Sequence, residues 1–128
     1  MKAKKILLVD DDTDLGGLIT SSLIVAGYDV HYQTSLAGIE NTIEAFNPSI
    51  LILDVEIGQE DGITRAKSIL RQFPRLPVLF ISSHTETPDV VRGVIAGGVG
   101  YIRKPFDMTE LQAYIERFSS ALKFNDLR

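Results

Sequence analysis

Residues 6–12 read ILLVDDD, four consecutive apolar side chains followed by three aspartates. A short run that is apolar at every position suits a strand covered on both faces, because a strand with one wet face would alternate. The abrupt change to carboxylates marks the point where the chain leaves the interior. The same grammar recurs at Ile50-Leu51-Ile52-Leu53, which ends in Asp54, and at Val78-Leu79-Phe80-Ile81, which ends in Ser82-Ser83. Two further runs, residues 28–32 and 99–102, bring the number to five, and segments of helical period long enough for crossover helices separate them. This alternation predicts an α/β fold, a three-layer, doubly wound, five-stranded parallel sheet. The run at 28–32 carries Asp29 and His31 and is expected at a sheet edge.

Five helices follow from the intervening pattern. The first is expected to start at Thr13, whose hydroxyl can cap it, and to run to Gly27, with Leu15, Leu18, Ile19, Leu23 and Ile24 facing inward. The second spans 35–46 and stops before Asn47-Pro48; the third spans 62–73 and stops before Pro74. The fourth, 88–96, contains Gly93 and ends in Gly97-Gly98, so its intrinsic helix propensity is low. The last, 107–122, places Leu111, Tyr114, Ile115, Phe118 and Leu122 at helical spacing.

At 128 residues, with 45% hydrophobic and 23% charged side chains, the whole chain 1–128 is expected to form a single domain. A net charge of -4 disfavours a broad grip on nucleic acid or anionic lipid. The chain has no cysteine, which removes disulfides, thiolate nucleophiles and zinc-thiolate sites, so any metal chemistry must use oxygen. The apolar run 6–9 is too short for a signal peptide, and no run approaches the roughly 20 residues needed to cross a bilayer. A cytoplasmic location is expected, with no membrane and no direct nucleic-acid partner.

In an open parallel sheet, ligands bind beyond the carboxyl ends of the strands. Four of the five predicted ends carry polar chemistry: Asp10-Asp11-Asp12, Asp54, Ser82-Ser83 and Arg103-Lys104. Crowded carboxylates raise one another's proton affinity unless a cation relieves them. The inventory therefore suits a hard oxygen site for Mg²⁺, with Lys104 and Ser82 left to bind an anion, and phosphoryl transfer with Asp54 as nucleophile fits it.

At these residues the sequence resembles the receiver domain of two-component response regulators over nearly its whole length. The resemblance is distributed: the acidic pair in LLVDDD, the aspartate in LILD, Asp61-Gly62, the hydroxyl residue in VLFISS, and GYIRKPF. It implies a flavodoxin-like, CheY-like fold with strand order 2-1-3-4-5. It further implies that Asp10 and Asp11 organise Mg²⁺ with Asp54 and the backbone carbonyl of Glu56. Asp54 would take its phosphoryl group from a sensor histidine kinase or a histidine phosphotransfer protein. Ser82 and Tyr101 match the switch pair, Lys104 the phosphate-binding lysine, and Pro105 a position that is often cis. Implied partners are a downstream effector or output domain and a phosphorylation-dependent homodimer. The resemblance makes the chain a signalling switch that catalyses its own phosphorylation and dephosphorylation, rather than an enzyme acting on a separate substrate.

Two departures stand out. Ile57-Gly58 replaces the usual Met-Pro, which is expected to loosen the loop. Ser83 stands where a smaller residue is common, and Glu56 and His84 occupy positions that tune phosphoryl lifetime in the family. Taken singly, most of these residues have plainer readings. An aspartate run can be a solvated turn; Asp12 and Asp14 are expected to be surface charge favoured by the helix dipole; Ser82 can be a strand-end hydrogen-bonder and Tyr101 half-buried core. His31 and His84 lack neighbours at metal spacing. GVIAGGVG precedes the last strand and reads as a turn. An aspartyl-phosphate phosphatase of the haloacid-dehalogenase type is a rival enzyme reading, but the fifth position from Asp10 is Asp14, outside the DxDx[T/V] pattern. A receiver-like binding module with weak or no phosphorylation is the alternative.

Overall fold

The computed structural model describes residues 3–83 and 87–126. Five parallel strands form one sheet: β1 (Lys5–Val9), β2 (Asp29–Gln33), β3 (Ile50–Asp54), β4 (Val78–Ser82) and β5 (Gly100–Arg103). Their order is β2-β1-β3-β4-β5, with β2 at one edge, where Asp29 and His31 are exposed. Five helices wrap the sheet: α1 (Thr13–Val25), α2 (Ile39–Phe46), α3 (Gly62–Gln72), α4 (Thr87–Ile95) and α5 (Met108–Asp126). The three-layer, doubly wound, CheY-like architecture is the expected one.

Successive strand residues point to opposite faces, and the core divides accordingly. On one side Leu7, Val9, Leu51, Leu53, Val78 and Phe80 pack against Ile39 and Ile43 of α2 and Ile63, Ala66 and Ile69 of α3. On the other, Ile6, Leu8, Ile50, Ile52, Leu79 and Ile81 meet Ile19 and Leu23 of α1 and Leu111 and Ile115 of α5. Strands β3 and β4 are buried at every residue, which explains their uninterrupted apolar runs. Each fully buried leucine or isoleucine contributes about 2 kcal/mol relative to exposure.

Several boundaries differ from expectation for physical reasons. Asp12, not Thr13, caps α1, accepting from the Leu15 amide at 3.1 Å. The inner face of α1 is Gly16, Ile19 and Leu23, while Leu18 (62% exposed) and Ile24 (54%) turn outward. Apolar residues lie around this helix on all sides, so periodicity alone could not orient it. Strand β2 begins at Asp29 because the Tyr28 amide is spent on the Leu23 carbonyl in the C-terminal cap of α1. Helix α2 starts at Ile39, four residues later than expected, since Gly38 is left-handed at its N-cap. Before it, the Ser35 hydroxyl accepts from the Ala37 amide in a local turn. Strand β5 starts one residue late, at Gly100, and α5 extends past 122 to Asp126. An antiparallel hairpin that the sequence reading lacked, Glu56–Ile57 with Glu60–Asp61, joins β3 to α3. Among the described residues, no helix is long and apolar enough to cross a membrane.

Candidate functional site

Strands β1 and β3 are neighbours in register, Ile6 opposite Ile50 and Val9 opposite Leu53, so their carboxyl ends deliver Asp10 and Asp54 side by side. Asp10 is fully buried and Asp54 is 6% exposed, an environment that disfavours two adjacent charges. Lys104, just past β5, reaches across β4 to meet both. Its Nζ donates to Asp54 Oδ2 at 2.7 Å. The ammonium also stands 3.0 Å from Asp10 Oδ2, an ion pair with that buried oxygen.

Backbone amides hold all three acids. Asp10 Oδ1 accepts from the Asp12 amide at 2.9 Å, Asp54 Oδ1 from the Glu56 amide at 3.1 Å, and Asp11 Oδ2 from the Gly58 amide at 2.8 Å. One carboxylate oxygen from each of Asp10, Asp11 and Asp54 lies within 4.8 Å of the others. Asp11 and Asp54 line a cleft of about 260 Å³ together with Glu56, Gly58, Ser82 and Lys104. A larger groove of about 530 Å³, between Ile43, Asn47, Phe73 and Leu76, lies at the other end of the strands. Chemistry rather than size distinguishes the site.

Burial pushes the Asp54 carboxyl up to about 6, although Lys104 and the Glu56 amide pull the other way. Burial also works against the Lys104 ammonium, but Asp54 and then Asp10 outweigh it and hold its proton more tightly than usual. The donor set fits a divalent cation on two counts: every available atom is a hard oxygen, and three clustered carboxylates share a single ammonium.

The remaining sequence-selected residues gather at the same end. Ser82 closes β4 with its side chain nearly inaccessible, and its carbonyl accepts from the Lys104 amide at 2.8 Å. Tyr101 is half-buried on β5, its ring centroid 6.2 Å from that of Phe80. Burial raises its hydroxyl pKa, while a hydrogen bond with Ser82 draws it back. Glu56 lies on the cleft-lining hairpin with an exposed side chain. Lys104-Pro105 is cis, and His84 lies outside the described residues.

Gly58 sits at the hairpin turn with φ +61 and its amide is tied to Asp11, a bond that a proline at this position could not make. Two other contributors escaped the sequence reading. The Tyr32 hydroxyl donates to the Asp10 carbonyl at 2.8 Å, and Arg92 of α4 pairs with Asp61, whose carboxylate caps α3. The glycine could have been found as a Gly-X hairpin turn between Ile57 and Glu60. The two polar contacts have no short-range signature.

The family model for the response regulator receiver domain matches residues 6–116. The chain belongs to that family. A curated relative, an uncharacterized transcriptional regulatory protein YrkP of Bacillus subtilis, is 36% identical over 115 residues, covering 88% of this receiver domain and 48% of the Bacillus protein. This receiver domain thus spans about half the length of that relative. Among solved structures, a CheY-like receiver domain from Methanospirillum hungatei superposes with a TM-score of 0.89 at 21% identity, covering 97% of this chain and 99% of that one, a likeness of fold. NtrX from Brucella abortus gives 0.87 at 29% identity, covering 98% of this chain and 30% of that one.

Proposed function

We propose that this receiver domain accepts a phosphoryl group on Asp54 from a phosphohistidine of a sensor kinase or histidine phosphotransfer protein, with Mg²⁺ bound alongside. The observation that carries this reading is the Asp54 carboxylate, at once in contact with Lys104 and clustered with Asp10 and Asp11. Asp10, Asp11, Asp54 and the Glu56 carbonyl would hold the ion. When bound, it supplies positive charge that offsets the negative charge spread over the transferring oxygens.

The chain's own groups do the rest. A carboxylate oxygen of Asp54 forms the new O–P bond while the N–P bond of the donor imidazole breaks, and the electron pair of that bond stays with the imidazole. Asp54 attacks as a carboxylate, so no base is required. Lys104 contacts Asp54 Oδ2 and would follow the charge onto the phosphoryl group. Ser82 and Tyr101, already in contact, would shift together toward the new oxygens and alter the protein-interaction surface formed by α4, β5 and α5. That surface would serve an effector, an output domain or a second phosphorylated copy, in a cytoplasmic setting and through protein contacts rather than direct nucleic-acid binding. Chain 1–128 would act as one unit, alone or as part of a longer regulator.

Incubation with acetyl phosphate and Mg²⁺ followed by mass spectrometry tests the reading. A hydroxylamine-labile phosphate on the unmodified chain, absent from Asp54→Asn, is expected. Equal labelling of Asp54→Asn would remove Asp54 from its role, and no labelling with either phosphodonor or beryllofluoride would favour a binding module that does not take phosphate.

A further inference from the structure

Burial immobilises Asp10 and Asp54, but Asp11 is exposed, and a free aspartate there would sample several rotamers. Its carboxylate is instead tied by the Gly58 amide at 2.8 Å. Gly58 is the first of two central residues in the turn between the paired Ile57 and Glu60. It has φ +61, and Gln59 has no positive φ, the pattern of a glycine-first two-residue turn that suits strand twist. In such a turn the amide of the first central residue takes no part in the ladder. Here it points at a carboxylate, giving a charge-assisted bond. A proline could supply neither element, since it has no N–H and its φ is held near about −65°.

Resting on the reading of the acid cluster as a Mg²⁺ site, we propose that Gly58 is a positioning residue for that site. Its N–H fixes the Asp11 carboxylate so that the remaining lone pairs, about three of roughly four, stay available beside Asp10 and Asp54. Donors that orient ligating groups in this way commonly change metal affinity about 10–100-fold. The tether also makes closure of the hairpin and ion binding mutually dependent, because each favours the same Asp11 orientation.

The test titrates Mg²⁺ alone into the full chain and follows backbone amide resonances, which also report whether each variant is folded. Gly58→Pro removes the N–H, whereas Gly58→Asn keeps it in the non-glycine residue that most readily adopts positive φ. The unmodified chain and Gly58→Asn are expected to bind within about threefold of each other and Gly58→Pro at least about tenfold more weakly. Gly58→Pro within about threefold of the unmodified chain overturns the proposal, and so does Gly58→Asn as weak as Gly58→Pro, which assigns the effect to turn strain. No binding by the unmodified chain overturns the Mg²⁺ reading and takes this inference with it, so the two failures are distinct. Amide exchange gives an arm independent of Gly58→Pro folding: Asp11→Ala should speed exchange at Gly58 by about tenfold, and unchanged exchange overturns the tether.

Discussion

Replacing Asp54 by asparagine should stabilise the metal-free protein, by an amount that grows with pH. Burial places the folded carboxyl at about 6 against 3.8 for an unperturbed aspartate. The folded state therefore binds this proton more readily than the unfolded chain does. A raised carboxyl pKa contributes stability that is fully present below the unfolded value and lost as pH climbs through the folded one. The interval from 3.8 to about 6 corresponds to about 3 kcal/mol. Asparagine has the shape of the protonated acid and never ionises, so its advantage should be near zero at about pH 4 and reach about 3 kcal/mol by about pH 8, or about 10 °C in Tm. Lys104 keeps Asp10 as a partner in the variant, 3.0 Å away. Urea and thermal denaturation of both proteins, followed by circular dichroism in chelator between about pH 4 and about pH 8, gives the difference curve directly. A flat difference, or one that shrinks as pH rises, would falsify the claim that burial outweighs Lys104 at Asp54.

Lys104→Ala should keep the fold but lose about 3 kcal/mol near neutral pH by leaving Asp54 and Asp10 without their cation, with the loss shrinking in acid as Asp54 takes up a proton. Its Asp54 carboxyl, followed by carbon NMR, should titrate above about 6, and titration at or below that value would contradict the assigned contact. In Gly62→Ala the new Cβ would lie 2.2 Å from the Asp54 carbonyl oxygen. Backbone must move, so a loss of about 2–3 kcal/mol in urea denaturation is expected, and an unchanged midpoint would refute the close approach. Arg65 forks onto Glu40 between α3 and α2 at 2.9 and 3.1 Å and holds that carboxyl below the usual range. A double-mutant cycle should give about 0.5–1 kcal/mol, weaker in salt and lost as pH falls through the Glu40 range; a coupling indifferent to both would speak against an ion pair.

What the sequence disclosed and what it hid follow from the range of the forces involved. Strands β1, β3 and β4 were legible because burial on both faces demands an unbroken apolar run, and Asp10, Asp54 and Lys104 because each ends such a run. Helix α1 was misoriented since Leu18 and Ile24 are as apolar as Ile19 and Leu23, and only packing against the sheet selects among them. The caps shifted where two neighbouring residues could both serve, as with Asp12 and Thr13. Contacts made by backbone amides were least visible, because any residue but proline carries that donor. The bond from Gly58 to Asp11 was thus hidden, although the same glycine supplies the turn.

The division of the strands between two helix layers carries one more implication. Counting in twos along β1 from Ile6 through Leu8 arrives at Asp10, along β3 from Ile50 through Ile52 at Asp54, and on β5 from Ile102 at Lys104. All three site residues fall in the phase of the α1 and α5 side. Inserting or deleting one residue within any of these strands would exchange the residues facing the two helix layers and rotate a site group out of place in the same stroke. Strand length is thereby under a parity constraint, and drift in the packing of the core is checked by the chemistry at its end.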